Sequence, residues 1–313
     1  MCLLWKGSMM KAKKSSITST RNRNSLQYHA MVLPGMIFLI IFGYLPMLGL
    51  IMAFQDFVPA KGLFGSEFVG LKHFVYMVNL PDIGRVIRNT LIIALGKIIL
   101  GMILSIAFSI LLNEIRMKFL KKSVQTIVYL PHFLSWVVLA AVAMNLFNID
   151  GSVNQIIAAL GMEKINFLGS NNVFRNLLIG TDVWKEFGYN SVVYLAAITG
   201  IDAGLHEAAA IDGAGTMQQF FKITIPMLTP TIFFVMITSI ISGFQVFDVV
   251  YMMVGKTSPA YASTQTIVML FYRQAFDYGY KGYAAAISIL IFVVIMLVTA
   301  VQLIGQKKWV NYD

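Results

Sequence analysis

Charge is what this sequence most lacks. Of 313 residues only 12% are Asp, Glu, Lys or Arg, about half of what a soluble domain usually carries. Cysteine is almost absent too: Cys2 is the only one, which excludes an intrachain disulfide and any cysteine-based metal cluster. A phosphate-cradling G-x-x-x-x-G-K-[ST] loop is missing. The single Gly255-Lys256-Thr257 has Val250 where the first glycine would stand. His206-Glu207 begins like a zinc-binding helix, but Ala210 occupies the place of the second ligand. With no Ser-His-Asp or paired-carboxylate arrangement either, the sequence predicts a chain that is no catalyst and binds no metal or cofactor of its own.

What is present is apolar length. Apolar residues make up 58% of the chain, and they cluster in runs that reach the roughly 20 helical residues needed to cross a bilayer core. The runs predict an all-α, polytopic membrane protein with about six spans: Met31–Phe54, Asn89–Asn113, Val124–Phe147, Val173–Gly200, Met227–Val254 and Gly282–Gly305. The first is too long for a secretory h-region of about 7–15 residues and reads as a retained helix. Lys97 interrupts the second run, Asp182, Lys185 and Glu186 the fourth, and Asp248 the fifth.

The net charge of +10 is unevenly spread, since residues 1–29 hold six Lys or Arg and no acidic residue. Basic residues resist translocation, so this tail and the cluster Arg116, Lys118, Lys121 and Lys122 are expected in the cytoplasm. An even number of spans then returns the C-terminus to the same side. The surplus is a topological signal, not a nucleic-acid surface. The expected organisation is a basic tail over 1–29, a membrane domain over 30–306 and a cytoplasmic end over 307–313.

The segment 201–226 between the fourth and fifth spans differs in character. His206–Ile211 reads as a short helix on the strength of three consecutive alanines, broken by Gly213 and Gly215. Met217, Phe220, Phe221 and Ile225 follow at helical spacing and predict a second amphipathic helix that ends at Pro226. Small residues let backbones approach closely, which suits such a pair to another protein's groove.

Glu207-Ala208-Ala209, three residues, Gly213, nine residues and then Ile223-x-Ile225-Pro226 resembles the EAA loop of binding-protein-dependent ABC importer permeases of the maltose type. Ile225 stands where that family usually has Leu. Residues 33–57 and 68–74 resemble permeases for complex oligosaccharides, including alginate and pectin-fragment importers. The resemblance implies that Glu207, Ala208, Ala209, Asp212 and Gly213 couple the chain to an ATPase. Glu207 would be the polar contact, the alanines the packing face, and Asp212 and Gly213 the turn. It further implies a second homologous permease, two ATPase subunits that bind ATP and Mg2+, and an extracytoplasmic solute-binding protein. The chain would sit in a bacterial cell membrane with both termini cytoplasmic. An ion-coupled secondary carrier is the rival class, supported by the intramembrane charges but not by any repeat of broken helices.

A cargo pathway is expected where polar and aromatic groups meet inside spans. A sugar offers an apolar C–H face and a rim of hydroxyls, which aromatic faces and planar polar groups match. Asp182, Lys185 and Glu186 share one helix face, beside Trp184 and Tyr189. The fifth span supplies Phe244, Gln245, Phe247 and Asp248, and the third Tyr129, His132 and Trp136. These stretches resemble those lining the sugar site of maltose-type permeases. Helix packing or lipid contact is the other expectation for each aromatic, and helix-interface packing for His132. Asp182 and Lys185 could neutralise each other, and Lys97 could meet Asp248 or an acidic sugar. The resemblance implies an oligosaccharide cargo, and the family's range leaves a neutral or acidic one open.

Overall fold

The computed structural model describes residues 27–254 and 258–309. Most of the basic tail, the Gly255-Lys256-Thr257 triplet and residues 310–313 lie outside them.

The chain is almost wholly helical. Helix α1 spans Gln27–Phe54, with a π turn at Ile40–Tyr44 and a tighter 3-10 stretch over Leu45–Phe54. A short ribbon follows, β1 (Gln55–Asp56) antiparallel to β2 (Glu67–Phe68), with helix α2 (Gly62–Gly65) between them and α3 (Lys72–Val78) after them. Then come α4 (Ile83–Glu114), α5 (Lys118–Tyr129), α6 (Trp136–Phe147), α7 (Ser152–Ala159), α8 (Asn171–Thr199) and α9 (Ala203–Ile211). Helix α10 covers Thr216–Phe244. It is followed by α11 (Asp248–Met253), α12 (Tyr261–Thr264), α13 (Ile267–Tyr272) and α14 (Lys281–Trp309).

Five helical stretches of the described chain are long and apolar enough to cross a membrane. The expected fourth span, α8, is not among them because it carries Arg175, Asp182, Lys185 and Glu186. Its 29 residues nevertheless extend about 44 Å at 1.5 Å per residue, and its charges point inward. The outer faces of α1, α4 and α14 are exposed Leu, Ile, Val and Phe, whereas between α4 and α8 small and polar residues lie beside the buried Ile93, Leu178 and Val183. Ser105 Oγ donates to the carbonyl of Phe187 at 3.0 Å and Ser109 Oγ to that of Ser191 at 2.9 Å. Gly96 faces Ile179 so closely that an added Cβ would come within 2.9 Å of its Cδ1. Lipid is as apolar as leucine, so helices in a bilayer associate through this kind of close packing and interhelical hydrogen bonding.

Three expectations about continuity are corrected. The third span is not one helix from Val124 to Phe147. Helix α5 stops at Tyr129, a 3-10 turn covers Leu130–Phe133, and α6 starts at Trp136. Pro131 lacks an N–H and its ring clashes with a helical carbonyl, and Ser135 accepts from the Val138 N–H to cap the new helix. The fifth span ends at Phe244, not Val254, with Gln245–Phe247 unwound before α11. Thr266 Oγ1 donates to the freed carbonyl of Val246 at 3.1 Å. Conversely, the second helix of the 201–226 segment does not end at Pro226. It continues into α10 because a π turn at Phe220–Thr224 lies directly before Ile225-Pro226, and a wider turn gives the proline ring room that an α turn denies it.

Candidate functional site

A cavity of about 450 Å³ opens between α4, α8 and α10, beside the unwound Gln245–Phe247. Each helix contributes a column of residues at turn spacing. Helix α4 gives Lys97, Gly101 and Ser105, α8 gives Asp182, Glu186, Asn190 and Tyr194, and α10 gives Val235, Thr238, Ser239 and Ser242. Residues four apart lie above one another on a helix, so each column is a continuous strip of wall. Trp136 from the start of α6 and Phe247 from the unwound segment add aromatic faces, and Gln245 and Asp248 add polar ends.

The charges are paired across helices. Lys97 Nζ lies 2.8 Å from Asp182 Oδ1, with side chains 17% and 9% exposed. The expected Asp182–Lys185 pair does not form, nor does Lys97 reach Asp248. Lys185 Nζ instead donates to the carbonyl of His132 at 2.6 Å and sits 3.2 Å from Glu186 Oε1. It also lies 5.6 Å from the centre of a Trp136 ring. His132 Nδ1 is 2.8 Å from Glu186 Oε2, and its ring stacks on Tyr189 at 3.9 Å with 3° between the planes. These contacts anchor the break at Pro131 to α8, since the broken turn leaves a carbonyl that Lys185 takes up. Asp248 is the carboxylate on the cavity wall that forms no ion pair among the described residues.

Of the residues expected along the pathway, Trp136, Asp182, Glu186, Gln245, Phe247 and Asp248 line this cavity. His132, Lys185 and Tyr189 form the layer just described. Phe244 is buried against Ala94, Ile98 and Ile240. Trp184 is half exposed on the opposite face of α8, and Tyr129 is partly buried at the end of α5. Lys97, expected to meet Asp248 or an acidic sugar, also lines the wall, and so do Ser105, Asn190, Thr238, Ser239 and Ser242, which the sequence reading did not place there. Their signal was available as polar residues recurring every three or four positions inside apolar runs.

The 201–226 segment is built as a helical corner. Asp202 accepts from the Gly204 N–H at 3.0 Å and caps α9. At the other end Asp212 follows Ile211, Gly213 takes φ +81°, and the Ala214 N–H returns to the carbonyl of Ala209 at 2.9 Å. That closure needs a left-handed residue, which glycine supplies without strain. Gln219 holds the corner shut, donating to the Ala214 carbonyl at 2.9 Å and meeting His206 Nδ1 at 3.2 Å. Glu207 and Ala208 face outward, Ala209 is half buried, and Ile211 is 86% exposed with Met217 and Phe221 nearby in sequence and also exposed.

A polar cavity walled by bilayer-length helices, joined through α10 to an exposed helical corner, defines an integral-membrane permease. Residues 97–310 match the family described as binding-protein-dependent transport system inner membrane component, and the chain belongs to that family. It is a permease subunit of an ABC importer, carried in a multi-pass inner-membrane fold, and not an enzyme. The ion-coupled carrier reading gives way to it. The polygalacturonan/rhamnogalacturonan transport system permease protein YteP of Bacillus subtilis (strain 168) is 37% identical over 263 residues, covering 83% of this chain and 81% of that one. The crystal structure of a bacterial ABC transporter involved in the import of the acidic polysaccharide alginate contains a chain 32% identical. It superposes with a TM-score of 0.83 over 93% of this chain and 98% of that one. A second structure, that of a bacterial alginate ABC transporter in complex with an alginate pentasaccharide-bound periplasmic protein, matches with a TM-score of 0.81 at 32% identity. It covers 90% of this chain and 93% of that one.

Proposed function

We propose that this permease carries an oligosaccharide through the α4–α8–α10 cavity. A solute-binding protein outside hands the cargo over, and a second, homologous permease forms the facing wall. Two ATPase subunits bind the ATP and Mg2+, one seated on the corner at α9 with Glu207 as the polar contact and the other on the second permease. Both termini then lie in the cytoplasm, as the basic residues flanking α1 and α5 favour. The membrane domain is taken as 30–306, with the coupling loop at 201–226.

The cavity's chemistry carries this reading. Its size falls within the roughly 300–1,000 Å³ of ligand pockets, and it sets aromatic residues, Trp136, Tyr194 and Phe247, beside hydroxyl and amide groups. That mixture fits the C–H face and hydroxyl rim of a sugar ring. Its charge bears on cargo class. Lys97 is engaged by Asp182, Lys185 by Glu186, and Asp248 forms no ion pair among the described residues. This wall therefore favours a neutral glycan, and a uronic one would draw its countercharge from the second permease.

Reconstitution tests the proposal. The chain with its partner permease, ATPases and binding protein in proteoliposomes should accumulate defined tri- to pentasaccharides only when ATP is supplied. Accumulation by this chain alone without ATP would overturn it.

A further inference from the structure

Four aromatic rings run outward from the cavity in an unbroken series. Phe247 lines the cavity and stacks on Tyr251 at 5.0 Å. Tyr272 lies 4.8 Å from Phe247 and 5.0 Å from Tyr251, and Phe276 lies 4.9 Å from Tyr272 and is 69% exposed. The series ends at the face of the molecule opposite the α9 corner. Ser263 Oγ, in α12, donates to the carbonyl of Asn171 at the start of α8, whereas α9 follows the other end of α8.

We propose that Phe247, Tyr251, Tyr272 and Phe276 form a stacking track for pyranose rings, leading the cargo glycan from the outer surface into the cavity. The inference rests on the oligosaccharide reading given above. Phe247 packs, partly buried, against the hydrophobic core, and Tyr251, Tyr272 and Phe276 lie outside it. The core here is made by their neighbours Val249, Val250, Met253 and Met269, all nearly inaccessible, while Tyr251 and Phe276 are exposed. Nor is the series like the lipid-facing strips of α4 and α14, which are mainly aliphatic. Flat faces beside two phenol hydroxyls, with Gln245 and Asp248 at the inner end, offer both halves of what a sugar presents. Several similar, weak stations in succession suit movement better than one tight site.

The outer end is firmly mounted. Arg273 donates to the Tyr261 hydroxyl, lies 4.8 Å above that ring and sits 3.5 Å from Asp277. The Tyr278 N–H closes a π turn onto the Arg273 carbonyl at 3.0 Å. Phe276 is therefore held on a fixed turn.

The test uses the reconstituted complex and three probes: a galacturonate trisaccharide, a rhamnogalacturonan tetrasaccharide and maltotriose. Tyr272→Leu with Phe276→Leu keeps apolar bulk and removes the flat faces. It should slow uptake of the transported probe about fivefold while binding-protein-stimulated ATP hydrolysis persists. Phe276→Trp should keep the parent rate. Parent-rate uptake by the leucine pair, or a tryptophan variant as slow as the pair, would overturn the track. If the pair fails to assemble, Phe276→Leu alone, at an exposed position, decides by the same comparison. Transport of none of the probes by the parent complex would remove the oligosaccharide reading and this inference with it.

Discussion

Lys97 on α4 and Asp182 on α8 meet at 2.8 Å with both side chains largely withdrawn from the surface. A pair so placed costs much to assemble, and removing one partner strands the other. Asp182→Asn should lower the stability of the detergent-solubilised complex by about 3–5 kcal/mol, read as a drop in its unfolding midpoint. Lys97→Met combined with Asp182→Leu should recover most of that loss. A double variant as unstable as the single one would show that the pair does not act as a unit.

The corner at Gly213 gives a second expectation. An added Cβ would meet nothing within 4 Å there, so the whole penalty comes from φ +81°. Gly213→Val should cost about 1–2 kcal/mol and Gly213→Asn less, because asparagine tolerates the left-handed region. Thermal unfolding of the two variants checks the order.

Glu207 is exposed and its side chain makes no hydrogen bond or ion pair among the described residues. Glu207→Lys should leave the permease folded but abolish co-purification with the ATPases and ATP-dependent uptake. Retention of both would sink the docking assignment.

Gly188 marks where α8 crosses α5, with the Val128 carbonyl where a Cβ would go. Gly188→Ala should cost about 1–3 kcal/mol through overpacking, and Gly188→Leu should prevent assembly, as size-exclusion chromatography would show.

Within the cavity, Asp248→Asn and Gln245→Ala should each reduce uptake by about tenfold, the worth of one hydrogen bond to a charged or well-placed group. Assembly and basal ATP hydrolysis should remain. Normal uptake by both variants would exclude them from the pathway.

The sequence revealed most where a local pattern is sufficient. Hydropathy runs located the membrane helices, and the spacing from Glu207 to Pro226 located the corner and its family. It revealed least where distant segments decide. Asp182 and Lys185 are three apart and about 60° apart around the helix, which made them look like partners. The packing turns Asp182 toward α4 and Lys185 toward the break at Pro131. The ends of α10 were equally hidden. The run from Met227 to Val254 contains no sign that Val246 will give its carbonyl to Thr266, and prolines at 226 and 230 resemble a stop until the π turn before them is seen.

That π turn joins the α9 corner and the serine-lined wall of the cavity to the two ends of one rod. From Thr216 to Phe244 no residue leaves the helix, a length of about 44 Å. Tilting one end by about 5° displaces the other by roughly 4 Å, which is enough to open or close a gap of one water molecule's width or more.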